Sequence, residues 1–236
     1  MKPAAFDYHR PGTVEDAVSL LADLGDDAKI LAGGQSLVPM LAMRLAYFDH
    51  LIDISRLGEL RGIARRGADA GELWIGAGTT EAAVGADAAV RQAVPLLTRS
   101  TPFVGHFQIR NRGPLGGSIA HADAAGEYPA VALTLDAVME VLSPRGRREI
   151  AAADFFSGVW ETTMEPDEVL PASGSPCGAA GPGSRFRSSR AATAISRSRG
   201  RWSPSGSTTP AEYPAARSAC SAWGPRPGAR PLPRRR

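Results

Sequence analysis

The sequence predicts an α+β fold followed by a low-complexity tail, and three observations carry that reading. Through residues 1–170, amphipathic helical stretches alternate with short apolar runs of strand character. A glycine pair followed closely by a serine occurs twice, at Gly33-Gly34 and Gly116-Gly117, each time after an apolar residue. Beyond Leu170 the composition shifts abruptly to Gly, Pro, Ser, Ala and Arg.

The elements follow in order. Val14, Ala17, Val18, Leu21 and Leu24 share one face of a first helix, with Thr13 as its cap and Gly25 as its terminator. Residues 28–33, AKILAG, form a short buried strand that runs into the first glycine pair. Ser36 opens a helix over LVPMLAMRLA, in which Pro39 is tolerated only within the first turn. HLIDI (50–54) and ELWIGAG (72–78) are strands, and Thr79 or Thr80 caps a helix over EAAVGAD. Residues 88–105 are mostly helical with a break at Pro95, and YPAVALTLDA is a short helix. VMEVLSPRGRREI folds back as a hairpin around Pro144-Arg145-Gly146. The pattern divides near Ile54 to Leu60, giving units 1–56 and 57–170 and a tail 171–236.

Charge separates the tail from the body. Residues 171–236 carry twelve Arg, no Lys and one acidic residue, Glu212, a net of +11. Removing them from the whole chain's 27 basic and 24 acidic residues leaves 15 against 23, so residues 1–170 stand at −8. Both cysteines, Cys177 and Cys220, lie beyond 170, so the body has no disulfide or thiolate chemistry. The tail holds no Val, one Leu (Leu232) and one Ile (Ile195), too little apolar surface to offset the entropy of ordering it. It reads either as a basic arm for polyanions or as a GC-rich gene translated out of frame. Shifting GC-rich codons by one base can turn PASGSPC, after Leu170, into TGVRLPV, and the stretch from Ser189 into VARRHGDFAIAGAVVAVGLDDAGG, both of strand character. The out-of-frame reading is favoured, with 171–236 disordered. No stretch looks like a signal peptide or a membrane span, so a cytoplasmic location is expected.

The second glycine pair sits in IRNRGPLGGSIAHADAAGEYP, residues 109–129. Neither site is a Walker A loop or a GxGxxG fingerprint, because the Lys-Ser/Thr pair and the spacings are missing. Two such loops on separate units fit a clamp on an extended anion such as a pyrophosphate, approached by backbone N–H groups that no Cβ obstructs. The four histidines are not spaced with carboxylates as a metal site, so no metal is expected, and no Ser-His-Asp or Cys-His set is available for catalysis. His121 is a candidate cofactor contact. His106, Gln108 and Arg110 either orient the second loop or cap a helix, and Asp53 and Asp154 read as turn or strand-end residues.

Taken together, FDYHRP, EDAVSLL, AGGQSL, LAMRLA, HLIDI, IGAGTT, QIRNRGPLGGSIAHADAAGEYPA and TTMEPDEVL closely resemble the FAD-binding medium subunits of molybdenum hydroxylases, with the carbon monoxide dehydrogenase type as the best match. The resemblance runs almost continuously over residues 1–170. It implies the two-subdomain FAD-binding fold of the vanillyl-alcohol-oxidase (PCMH) type, with the tail standing where a third α+β domain is expected. Carried over, it places the first pyrophosphate loop on Ala32, Gly33, Gly34, Gln35 and Ser36, and the second on Pro114, Leu115, Gly116, Gly117 and Ser118. Glu127, with Asp123 as the alternative, takes the acidic position near the nucleotide end of FAD. Pro114 departs from the family, which has Thr or Ser there, and so withholds a hydroxyl and an N–H. The implied role is electron transfer: a molybdopterin-binding large subunit oxidises substrate, a 2Fe-2S small subunit relays electrons, and this chain passes them to an external acceptor. The alternatives to this reading are a stand-alone flavin oxidoreductase, a basic-tailed nucleic-acid-binding protein and a non-functional truncated subunit.

Overall fold

The computed structural model describes residues 2–67 and 71–178. The chain opens with β1 (Asp7–His9), α1 (Val14–Leu24), β2 (Ala28–Leu31), α2 (Leu37–Ala42) and β3 (His50–Asp53). These build a three-stranded parallel sheet in the order β1-β3-β2, with Tyr8 opposite Leu51 and Ile30 opposite Ile52. α1 forms because its apolar residues recur at helical spacing and bury Val14, Ala17, Val18 and Leu21 on one face. The Thr13 hydroxyl accepts the Asp16 N–H at 3.1 Å, Glu15 and Asp16 add charge to the first turn, and Gly25 ends the helix at φ 61°.

β4 (Ile63–Arg66) and β5 (Glu72–Gly76) lead into a run of short helices: α3 (Glu81–Ala86), α4 (Ala88–Ala93), α5 (Pro95–Ser100), α6 (Phe107–Arg112), α7 (Leu115–His121) and α8 (Glu127–Thr134). The hairpin β6 (Val138–Ser143) and β7 (Gly146–Ala151) follows, then α9 (Ala152–Phe155), the small pair β8 (Phe156–Gly158) and β9 (Glu161–Thr162), and β10 (Val169–Pro176). The second sheet is antiparallel in the order β4-β5-β10-β6-β7. Its inner face, with Leu73, Ile75 and Met139, packs against Val84, Leu115, Tyr128 and Val131 of the helical run. A second core joins the two sheets: Val14, Val18, Ile52 and Leu57 meet Leu142 and Val169. No helix among the described residues is long and apolar enough to cross a membrane.

Several expectations change in detail. The tail does not begin at Leu170: β10 continues through Pro171 to Pro176 as the central strand of the five-stranded sheet, so these residues are neither disordered nor outside the fold. A strand bonded on both sides is held by backbone ladders, and its Ala, Ser and Gly side chains suit a close-packed centre. The out-of-frame reading of residues 179–236 lies outside the described residues. α2 stops at Ala42 because Arg44 takes a left-handed φ of 59°. Thr80 rather than Thr79 caps α3, its hydroxyl accepting the Ala83 N–H at 3.3 Å, whereas the Thr79 hydroxyl is turned to Gly62.

Candidate functional site

The first glycine loop follows directly from β2. Ala32 to Gln35 are half-buried and Ser36 is exposed at the N-terminal flank of α2. Gly34 sits at φ 72°, a conformation that glycine adopts without a steric penalty. The first helical hydrogen bond of this turn runs from the Val38 N–H to the Gly34 carbonyl at 3.1 Å, so the amides ahead of Val38 lie outside the helical ladder. The Gln35 side chain is turned back on the loop, donating to the Gly33 carbonyl at 2.9 Å.

The second loop is fastened along its length to the turn between β5 and α3. The Glu81 N–H donates to the Gly113 carbonyl, the Leu115 N–H to the Thr79 carbonyl and the Gly116 N–H to the Ala77 carbonyl, each at 2.9 Å, and Thr80 and Pro114 form an antiparallel bridge. Leu115 and Gly116 therefore spend their amides on the scaffold rather than on a ligand. Gly116 is buried against Ala77, where a Cβ would collide with the Ala77 methyl. Gly117 and Ser118 are half-buried in the first turn of α7, and Pro114 is buried at its cap position without a side-chain capping bond.

The two loops meet. A Cβ added to Gly33 would lie 2.6 Å from the Arg112 carbonyl oxygen, 2.7 Å from Pro114 Cδ and 2.8 Å from Gly113 Cα. On the other side, a Cβ at Gly117 would lie 3.2 Å from Pro114 Cγ and 3.5 Å from the Ala32 methyl. Ala32, Gly33, Pro114 and Gly117 thus form a contact seam between two backbones that stay close because the facing side chains are absent or small.

Behind the second loop lies a buried polar group that the sequence reading passed over. Glu81, the first residue of α3, is 3% exposed and its Oε2 has no hydrogen-bond partner. Burial, reinforced by the Glu127 charge and opposed by Arg110, pushes its carboxyl up to about 8. Tyr128, fully buried beside Glu127, shares a 2.9 Å hydrogen bond with Thr101, and burial raises its phenol well above the usual range. Nothing local in TTEAAV distinguishes Glu81 from an ordinary first-turn helix acid, because its burial is imposed by α6 and by Gly113 after it, from elsewhere in the chain.

The remaining candidates separate into local roles. The Asp123 carboxylate accepts the Ala125 N–H at 2.9 Å and shapes the turn into α8, whereas Glu127 begins that helix and acts on Glu81. His121 stacks on Trp160 with centroids 6.3 Å apart, and burial holds its imidazole below the usual value. Arg110 donates to the Val104 and Gly105 carbonyls at 2.9 and 2.8 Å, bracing the turn before α6, and His106 occupies the cap position of α6 without a side-chain bond. Asp53 ends β3 and accepts a short hydrogen bond from Tyr8. Among the described residues no group of three or more His, Cys, Asp or Glu could hold a metal ion.

Comparison with known proteins gives the same seam a context. The family described as the FAD binding domain in molybdopterin dehydrogenase matches residues 4–172. The chain is 42% identical over 170 residues to the carbon monoxide dehydrogenase medium chain of Hydrogenophaga pseudoflava, covering 72% of this chain and 58% of that one. It is 44% identical over 170 residues to the nicotine 6-hydroxylase medium subunit of Paenarthrobacter nicotinovorans, covering 72% and 59%. Among solved structures, carbon monoxide dehydrogenase from Hydrogenophaga pseudoflava matches with a TM-score of 0.73 at 42% identity, over 77% of this chain and 62% of that one. The chain therefore matches less than two thirds of the length of these relatives.

Proposed function

The chain belongs to the family of FAD-binding domains in molybdopterin dehydrogenases, and we propose that it serves as the flavin-carrying, electron-transferring medium subunit of a molybdenum hydroxylase of the carbon monoxide dehydrogenase type. The observation that carries this reading is the seam between the two glycine loops, where Gly33 lies against the Arg112 carbonyl and Gly117 against Pro114 and Ala32.

The residues present fit FAD. A diphosphate is an extended anion that needs N–H donors on more than one side and backbone free of Cβ atoms between them. Gly34, Gln35 and Ser36 offer amides outside the helical ladder of α2, and Gly117 faces the same seam from α7, where the Ser118 N–H is already bonded to the Pro114 carbonyl at 3.2 Å. The Ser36 and Ser118 hydroxyls are further donors. Ala32 and Pro114 shape the wall, while Leu115 and Gly116 anchor the second loop to the β5–α3 turn. Glu127, the first residue of α8, takes the nucleotide end, with Asp123, whose carboxylate accepts the Ala125 N–H, as the alternative.

Bound FAD supplies the uptake and release of electrons; the chain contributes placement and electrostatics. In this reading the chain receives electrons from a 2Fe-2S small subunit and hands them to an external acceptor, while a molybdopterin-binding large subunit oxidises the substrate. The full 236-residue chain titrated with FAD should quench flavin fluorescence and bind with one site. Gly34→Val and Gly117→Val should each remove binding, because a β-branched side chain blocks close phosphate approach. Undiminished affinity in both variants overturns the assignment. The subunit reading is tested by coexpression with a large and a small subunit of this enzyme type, and failure of the three to copurify counts against it.

A further inference from the structure

We propose that Glu81 is a positioning residue for the second glycine loop, holding Gly113 and Pro114 in place as an un-ionised carboxylic acid and loosening them when it ionises; its consequence for FAD rests on the reading of that loop given above. Glu81 grips Gly113 twice over. Its N–H donates to the Gly113 carbonyl at 2.9 Å, and its carboxyl lies directly beneath the same residue, so that a Cβ at Gly113 would be 3.3 Å from both Cδ and Oε2. Gly113 is in turn part of the surface on which Gly33 of the first loop rests. A displacement of the Glu81 carboxyl therefore has a short mechanical route to the seam.

The surroundings favour the acid over the carboxylate. Oε2 is buried without a hydrogen-bond partner, and a bare carboxylate oxygen in such a place is far costlier than a carboxylic acid. The groups facing it are Glu127 and Tyr128 from α8 and Arg110 from α6. Glu127 repels a negative charge at Glu81, and the Tyr128 hydroxyl is engaged with Thr101. Arg110 attracts a negative charge there, but its guanidinium is already bonded to the Val104 and Gly105 carbonyls. Of the other helices packed on α3, α4 and α5 carry Arg91 and Arg99, both exposed, and Asp87, which caps α4 through the Val90 N–H at 2.9 Å. Burial, followed by the Glu127 charge, keeps the acid form up to about pH 8.

The sign of the pH dependence follows. The folded chain holds a proton that the unfolded chain releases near 4.5, so this group's contribution is complete below 4.5 and is lost as pH rises through about 8. Wild type and Glu81→Gln, which keeps the shape and removes the titration, are compared as the full chain. Unfolding of each is measured without flavin from pH 5 to 9, and FAD is titrated by fluorescence at pH 7 and pH 9. The folding equilibrium of wild type should fall relative to Glu81→Gln by up to about tenfold per pH unit across that window. Its FAD dissociation constant should rise by about 2- to 12-fold from pH 7 to pH 9, the range of one ordinary hydrogen bond, while that of Glu81→Gln stays flat. Superimposable unfolding profiles overturn the ionisation, and an equal rise in both dissociation constants overturns the positioning role. Should Glu81→Gln fail to fold, Glu127→Gln takes its place: relieving the repulsion should move the upper edge of the window to lower pH, and an unmoved edge overturns the proposal. No FAD binding by any of the proteins at either pH overturns the cofactor reading instead, with the unfolding arm still deciding on Glu81.

Discussion

Gly33 rests against the backbone carbonyl of Arg112, and a Cβ in its place would lie 2.6 Å from that oxygen. This one contact joins a loop of the parallel sheet to a loop of the helical layer. Gly33→Ala should push the loops apart and weaken FAD binding by about 5- to 150-fold, the 1–3 kcal/mol of an overpacked contact, with a smaller change in apo stability. Gly116→Ala should do the opposite, since its Cβ would meet Ala77 in the core under α7. FAD titration and urea unfolding of the two variants check the split; equal losses in both measurements would mean that the seam and the core are not separable.

Pro114 stands at the cap position of α7 with extended backbone (φ −89°, ψ 153°) and no capping hydroxyl. The same chain caps α1 with Thr13 and α3 with Thr80, so Pro114→Thr restores a device used elsewhere in the fold. It should stabilise the first turn of α7 by about 1 kcal/mol and tighten FAD binding several-fold through the added hydroxyl and N–H. Loss of the rigid proline ring works against this by loosening the unfolded chain, so the gain in affinity should exceed the gain in melting temperature.

The parts of this fold legible in the sequence were those set by local chemistry. α1 was readable from five apolar positions and two caps, the β6–β7 hairpin from Pro-Arg-Gly, and the two glycine loops from their repeated spacing. α7 was not, because Gly116 and Gly117 read as a loop while the structure winds them into a helix against Ala77. Glu81 was invisible as a site because only tertiary packing buries it. β10 was misread for a related reason: its Pro, Ala, Ser and Gly residues carry no hydrophobic period, and the ladders to β5 and β6 supply what the side chains do not.

Arg148 of β7 grips Glu168 just before β10 with two parallel bonds, Nε to Oε1 at 2.7 Å and Nη2 to Oε2 at 2.8 Å, and the Glu165 N–H adds a third at 2.8 Å. Burial tends to raise the Glu168 carboxyl, but these bonds and the Arg148 charge outweigh it and hold the group below the usual 4.5. The stabilisation is therefore present above about pH 4.5 and is lost as pH falls through the lower folded value. Glu168→Gln should cost about 2 kcal/mol at neutral pH, toward the low end for charged hydrogen bonds because the Arg148 side chain is 47% exposed. In urea titrations the variant should lose less stability than wild type between pH 5 and pH 3; parallel losses would remove the ion pair from the account.

The composition of the chain changes within β10. Ser173 pairs with Ile75 and Met139, and Ser175 with Leu73, so both serines face the apolar layer that those residues share. Both are buried, which puts two small polar side chains where the neighbouring strands place large apolar ones. The intervening Gly174 is different: a Cβ there would lie 2.5 Å from the Trp74 ring, so the other face has no room. The one-base-shifted reading TGVRLPV puts Val at position 173 and Leu at 175, the two inward positions, and Arg at 174 on the face that Trp74 closes, so only its inward residues fit this strand. Ser173→Val with Ser175→Leu should therefore raise stability by about 2–4 kcal/mol, measured by urea unfolding, as the added methyl groups enter the layer beside Ile75 and Leu73. Gly174→Ala in the same strand should lower it by about 1–3 kcal/mol through the clash with Trp74. A double variant less stable than wild type would show that the layer is already filled around the serines, and would take away the packing argument for the shifted frame at this strand.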